Sequence, residues 1–134
     1  MPDDYSATTK DISVRVRSFF LADQSRPEDN HFVWAYRIRI ENLSTQTVQL
    51  LRRTWRITDG RGRQQHVHGE GVIGQQPVLK PGETFEYTSG TPLETPSGFM
   101  TGQYHMIFTE TGNTFDVDIP TFSLDSPYYG GVVH

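Results

Sequence analysis

His66, His68 and Glu70 stand at alternating positions, and their side-chain types are those of a metal site. Residues two apart on a strand project to one face, so two imidazoles and a carboxylate there suit zinc, cobalt or nickel. Beyond these, no further protein ligand is recognisable in the sequence. The competing explanation is a pair of solvent-facing imidazoles, and the order of residues does not bring His31, His105 or His134 near them. The same stretch contains Gly69-Glu70-Gly71-Val72-Ile73-Gly74, the G-x-G-x-x-G spacing of dinucleotide-binding loops. That spacing works when a helix follows and turns its N-terminus to the pyrophosphate. Here Gln75-Gln76-Pro77 follows and no helix can be drawn, which excludes a Rossmann site. A looser nest of backbone N–H groups at Gly69, Gly71 and Gly74 stays open, with Arg61 and Arg63 near in sequence to hold pyrophosphate or a nucleotide. Alternatively, the glycines allow a sharp crossing between two sheets.

No catalytic set emerges. Ser89-Gly90 lacks the G-x-S-x-G context of a nucleophile elbow. Asp116 and Asp118 fall on the wet face of a strand, where charge protects an edge. With no cysteine in 134 residues, thiol catalysis, Cys-based zinc sites and disulfides are excluded. We therefore expect a non-enzymatic protein without a cofactor.

The net charge of −4 is unevenly spread, at +3 over residues 1–67 and −7 over residues 68–134. Arg37, Arg39, Arg52, Arg53, Arg56, Arg61 and Arg63 crowd one stretch, and Arg presents a planar fork suited to carboxylate or phosphate. The simpler expectation is that these cations line solvent faces and pair with acids of the second half. The acidic balance and the lack of a nucleic-acid motif argue against DNA or RNA.

The elements that must position these residues are strands. Ile12, Val14 and Val16 alternate with polar residues, as do Phe32, Trp34, Tyr36, Ile38 and Ile40, then Phe85 and Tyr87. Met100, Tyr104, Met106 and Phe108 share a phase with Gly102 between them, and Phe115, Val117 and Ile119 alternate with aspartates. Each run is a strand with one buried face. Phase breaks near Leu50-Leu51, as a bulge requires, and a similar slip is expected at Phe19-Phe20-Leu21. Turn signals separate the strands: Asn42-Leu43-Ser44, Asp59-Gly60-Arg61-Gly62, Pro96-Ser97-Gly98 and Thr111-Gly112-Asn113. Lys80-Pro81-Gly82-Glu83 has the chemistry of a type II turn. Aromatic content of 12% against 34% hydrophobic means that the core must lean on large rings.

These features predict one all-β domain over residues 1–134, an immunoglobulin-like or fibronectin type III-like two-sheet sandwich of seven or eight antiparallel strands. The first nine residues and the 127–134 tail are expected outside it. Tyr128, Tyr129, Val132 and Val133 are expected to fold over an edge strand or join a neighbouring chain. No apolar run approaches the ~18 residues of a membrane span, and Met1-Pro2-Asp3-Asp4-Tyr5 lacks signal-peptide features, so a cytoplasmic protein is expected.

Several blocks occur together in one order: Gly71-Val72-Ile73-Gly74-Gln75-Gln76-Pro77-Val78-Leu79, Pro81-Gly82-Glu83, Phe85-Glu86-Tyr87-Thr88-Ser89-Gly90, Pro92-Leu93, Gly98-Phe99-Met100-Thr101-Gly102-Gln103-Tyr104 and Ile119-Pro120-Thr121-Phe122-Ser123-Leu124. Linked in this way, from about residue 8 to 126, they resemble the ApaG family, also called CorD. The resemblance implies a fibronectin type III-like sandwich without established enzyme activity. For bacterial members it implies a genetic association with cobalt resistance and magnesium efflux, and a gene neighbour encoding a dinucleoside tetraphosphatase. In eukaryotes the domain is attached to F-box proteins and to a DNA-polymerase-interacting protein, which implies protein recognition. The resemblance also brings pyrophosphate binding to Gly69, Gly71 and Gly74, with position 70 free. The metal association does not make His66 and His68 ligands, since a regulator need not touch the ion. The expectation is thus a protein-binding module, with pyrophosphate or nucleotide binding and divalent-metal binding as the alternatives.

Overall fold

Period-two alternation builds both sheets. The computed structural model describes residues 4–128. Nine strands occur among them: β1 (Asp4–Thr9), β2 (Ile12–Phe20), β3 (Phe32–Asn42), β4 (Val48–Asp59), β5 (Gln64–Glu70), β6 (Val78–Leu79), β7 (Thr84–Leu93), β8 (Gly98–Phe108) and β9 (Thr114–Leu124). One sheet has the order β1-β2-β3-β7; the other has β5-β4-β8-β9, with the short β6 also pairing β4. All pairings are antiparallel. Without β1 this is the three-on-four sandwich of a fibronectin type III domain, as the alternation predicts. The first nine residues are not outside it. Asp4–Thr9 pair with Arg17–Ile12 as an edge strand, with Tyr5 packed against the core.

The core does lean on rings. Tyr36 and Trp55 lie 5.5 Å apart between centroids, Tyr36 and Phe122 5.8 Å, and Trp55 and Phe122 6.0 Å. Such aromatic pairs are worth roughly 0.5–1.5 kcal/mol each beyond their buried area. Gly102 shares the inward phase of Met100 and Tyr104 because the Trp55 ring fills its place; a Cβ there would also meet the Thr54 carbonyl. Trp34 is fully buried, and its indole N–H donates to the Asp125 carbonyl at 2.7 Å.

The register shifts between Leu50 and Arg52, where the phase break predicts a bulge. The slip expected at Phe19-Phe20-Leu21 is absent. The β2–β3 register runs unbroken to Phe20 opposite Trp34, and Phe20 keeps the inward phase. Phe19 is an outward residue with the Arg37 guanidinium 5.8 Å from its ring centroid. A second irregularity faces Met100 and Gly102 on β9, where Pro120 lies between inward Ile119 and inward Phe122.

Asn42 governs the first crossing between sheets. Its buried amide donates to the carbonyls of Gln46 (2.7 Å) and Leu79 (2.9 Å) and accepts from the Ser44 N–H (2.9 Å) and hydroxyl (2.6 Å). The crossing from β6 to β7 is the expected Pro-Gly turn, with Gly82 at φ +86° and the Glu83 N–H donating to the Lys80 carbonyl at 2.9 Å. The motif glycines therefore do not form a crossing. β5 and β6 are two pieces of one edge along β4, and residues 71–77 are an excursion between them. The Asp59–Arg63 hairpin forms as expected, although Gly62, at φ +83°, supplies the positive φ.

Candidate functional site: a cleft along the open side of the sandwich

The two long sides of the sandwich differ. On one, β1 and β2 lie against β9, with the Asp118 N–H donating to the Thr9 hydroxyl (3.2 Å) and the Ser18 hydroxyl to the Ser123 carbonyl (2.9 Å). On the other, β7 and β5 end their sheets without pairing to each other. A cleft of three overlapping recesses, about 370, 290 and 160 Å³, runs between them. Its floor includes Tyr36, Trp55, Ile57 and Val67, and its β7 wall includes Tyr87, Ser89 and Pro92.

An arginine faces into this cleft. Arg53 shares the inward phase of Trp55 and Ile57 on β4, is half-buried, and lies opposite Gly69 of β5. Its Nη1 donates to the carbonyls of Gly71 (2.8 Å) and Glu70 (3.2 Å). Among the described residues no carboxylate pairs with it, and its Nε and Nη2 donors have no hydrogen-bond partner. Three phenols lie near its charge. Burial pushes the Tyr36 phenol up, opposed by the Ser89 side chain and by Arg53. Tyr87 and Tyr104 share a hydrogen bond of 2.6 Å between their hydroxyls across the sheets. Burial drives both far up, with Arg53 opposing.

The Gly-rich excursion closes one end of the cleft. Gly69 is glycine because the Arg53 guanidinium lies over it; a Cβ would fall 2.6 Å from Nη1. Gly71 has φ +65°, and a Cβ on it would meet the Gln75 carbonyl oxygen at 2.3 Å. Val72 and Gln75 exchange hydrogen bonds of 2.8 and 2.9 Å around a two-residue turn, with Ile73 at φ +42° and Gly74 at φ +79°. Val72 is buried, whereas Ile73 stands 53% exposed at the tip. The Gly71 and Val72 N–H groups are spent on the Leu51 and Gln75 carbonyls.

The sequence candidates do not all converge. Arg61 and Arg63 sit at the other end of β5, roughly 25 Å from Gly71 at about 3.3 Å per strand residue. Arg63 is engaged with Asp59 (2.8 Å) and Glu94 (3.4 Å). His66 and His68 share a face as expected, but it is the outer face of the second sheet, away from the cleft. Among the described residues no group of three His, Asp or Glu side chains is arranged to hold a metal ion.

The family profile described as the ApaG domain matches residues 22–108. A Protein ApaG from Paramagnetospirillum magneticum is 64% identical over 92% of this chain and 95% of its own. Another, from Parvibaculum lavamentivorans, is 52% identical over 97% of this chain and 99% of its own. The chain belongs to the ApaG family. A Bordetella pertussis protein described as ApaA, solved by crystallography, superposes with a TM-score of 0.85 at 47% identity, covering 90% of this chain and 98% of that one.

The outer face of this ApaG domain carries a second polar arrangement. The Thr54 hydroxyl lies 2.7 Å from His105 Nε2 and 3.3 Å from His68 Nδ1, and His105 Nδ1 lies 2.7 Å from Asp116. Hydroxyl, imidazole and carboxylate thus line up across β4, β8 and β9. A catalytic reading of this set would also need donors for an oxyanion, and the backbone N–H groups of a sheet interior are committed to its ladder. The first sheet's outer face places Arg15 opposite Arg39 and Arg17 opposite Arg37. Asp4 pairs with Arg17 (2.6 Å) and Glu86 with Arg39 (2.7 Å). Charge pairing with the second half therefore holds for Glu86 and Glu94, while Asp4 and Asp59 come from the first half. No transmembrane-length apolar helix occurs among the described residues.

Sequence reasoning missed Arg53 as a site residue, although its phase with Trp55 and Ile57 signalled an arginine on an apolar face. It also missed the His68–Thr54–His105 contact, for which no local signal exists.

Proposed function

We propose that this ApaG domain is a non-enzymatic protein-recognition module that takes an extended segment of a partner protein into the cleft, added as a strand to β7. The supporting observation is the coincidence, on one long side, of a strand edge unpaired among the described residues with an aromatic-floored cleft. Strand addition draws affinity from main-chain hydrogen bonds and specificity from pockets for alternate side chains, and the β7 edge beside the cleft supports both. Val67 and the rings of Tyr36 and Trp55 give apolar pockets, and the partner's backbone meets β7. On this reading the cobalt and magnesium association of ApaG proteins belongs to what the partner does. The module works in the cytoplasm, without a membrane or nucleic-acid partner.

The test is selection of random twelve-residue peptides on the immobilised protein, followed by amide-resolved NMR of the best synthetic peptides. Saturable shifts along residues 84–92 and 65–74 are expected. Shifts confined to the outer face around His66, Thr54 and His105, or failure to select any peptide, would sink the proposal. Pyrophosphate and ATP titrated in parallel check the anion alternative, which places its shifts at Gly69–Gly74 and at Arg61 and Arg63.

A further inference from the structure

We infer that Arg53 is the anchor of this cleft for an acidic side chain, Asp or Glu, of the bound segment, an inference that rests on the protein-recognition reading above. An inward-facing guanidinium is costly to desolvate unless its charge is compensated. Within the described chain Arg53 donates only to the carbonyls of Glu70 and Gly71, both through Nη1. Its Nε and Nη2 form one edge of the guanidinium fork, the geometry that accepts a carboxylate through two parallel hydrogen bonds. The surroundings hold that fork in place. Gly69 gives it a flat seat, the two carbonyls fix one corner, and a Cβ at position 69 would displace it.

The neighbourhood also favours an anion over a neutral group. Tyr36 and Ser89, directly opposite each other on β3 and β7, line the same recess and offer hydroxyl groups. A phenol is neutral near pH 7, and burial raises these ionisations further, so Tyr36 and Tyr87 meet the site as hydrogen-bonding groups rather than competing anions. Asp59 and Glu94, carboxylates of the far recess, are engaged by Arg63. The guanidinium of Arg53 is therefore the positive charge that an incoming carboxylate meets in the ring-floored part of the cleft. The strained turn bearing Ile73 caps the same recess and sets an apolar contact beside the charge.

The experiment uses the cleft-binding peptides selected above. Their acidic residue is replaced by Gln or Asn, and the protein is tested as wild type, R53Q and R53K by calorimetric titration. Wild type should lose about tenfold or more affinity on the peptide's Glu→Gln change, as expected for a truncated charge-assisted pair. R53Q should bind the acidic and neutral peptides within about twofold of each other. R53K keeps the charge but not the fork, and should recover only part of the difference. Thermal melts of each variant establish that it is folded, and R53K serves if R53Q is not. Peptides that shift residues 84–92 but show no acidic preference would overturn the role of Arg53 and leave the recognition reading standing. Acidic preference that persists in R53Q would do the same. Absence of any cleft-binding peptide would remove both. Competition by millimolar inorganic phosphate that depends on Arg53, without acidic preference among peptides, would assign the site to a small oxyanion and overturn the peptide carboxylate.

Discussion

Alanine replacement of the three motif glycines, one at a time, should give three different results, because each glycine answers a different constraint. At Gly71, φ is +65° and the new Cβ would sit 2.3 Å from the backbone oxygen of Gln75. The left-handed conformation alone costs an L residue about 1–2 kcal/mol. Relieving the clash strains the paired Val72–Gln75 hydrogen bonds, worth about 1 kcal/mol each. Loss of glycine's unfolded-state freedom returns about 0.4–1 kcal/mol. The net is a loss of about 2–3 kcal/mol, or roughly 6–15 °C in Tm for a chain of this size. At Gly74, φ is +79° but the space beyond is open, so only the conformational terms remain and the loss is about 0–1.5 kcal/mol. Gly69 has no positive φ, and its Cβ would meet Nη1 of Arg53, the far end of a flexible side chain. The guanidinium can swing aside, so G69A should stay within about 0.5–1 kcal/mol of wild type yet behave like R53Q toward acidic peptides. Guanidinium chloride melts give the stabilities and peptide titration gives the binding. Equal losses at all three positions, or G69A as damaging as G71A, would refute this account of the motif.

Asn42→Ala should cost about 2–4 kcal/mol, since it removes an amide that satisfies two carbonyls and a serine at the sheet crossing; equilibrium denaturation checks it, and a loss under 1 kcal/mol would contradict the geometry. Tyr87 and Tyr104 have ionisations raised by burial, so their contribution is intact below the unfolded phenol value near 10 and falls away as pH rises towards their folded values. Stability should drop above about pH 10 by roughly 1.4 kcal/mol per pH unit for each phenol, and a 295 nm titration of the folded protein showing every tyrosine ionising normally would rule this out. For Asp59, partial desolvation opposes ionisation, but hydrogen bonds from the Arg63 and Arg61 N–H groups and the Arg63 side chain outweigh it and hold the carboxyl below its usual value. That contribution is present above the unfolded value and lost as pH falls through the folded one, so D59N should flatten the acid limb of stability. Arg15→Thr should leave stability unchanged or raise it by up to about 0.5 kcal/mol, because it relieves a like-charge pair with Arg39; a clear loss would show that the pair is compensated.

The strands were legible because each core face is written at period two, and the Leu50-Leu51 bulge because one added residue reverses parity. Phe19-Phe20 misled for a related reason. Two adjacent rings look like a phase slip, yet one of them packs outside against Arg37, so the register never changed. The strand at Asp4–Thr9 escaped notice since, as an edge, it buries little and alternates weakly. Pro120 hid the β9 irregularity, because Ile119 reads in phase with Val117 and only Phe122 betrays the extra residue.

The site was less legible than the fold, and the reason is register. His68 and His105 are joined by Thr54 because β4 lies between β5 and β8, an order that no local pattern contains. Arg53 was different: it stands two residues before Trp55 and four before Ile57, in their phase. Counted among seven arginines it looked like part of a solvated charge cluster; placed by parity it is the one on the inner face of β4. Parity also explains its neighbour across the ladder. In its present position the Arg53 guanidinium lies over the facing residue, and Gly69 leaves it that room. The first glycine of the motif is therefore tied to Arg53, and the second and third to the tight turn that follows, where Gly71 and Gly74 take positive φ.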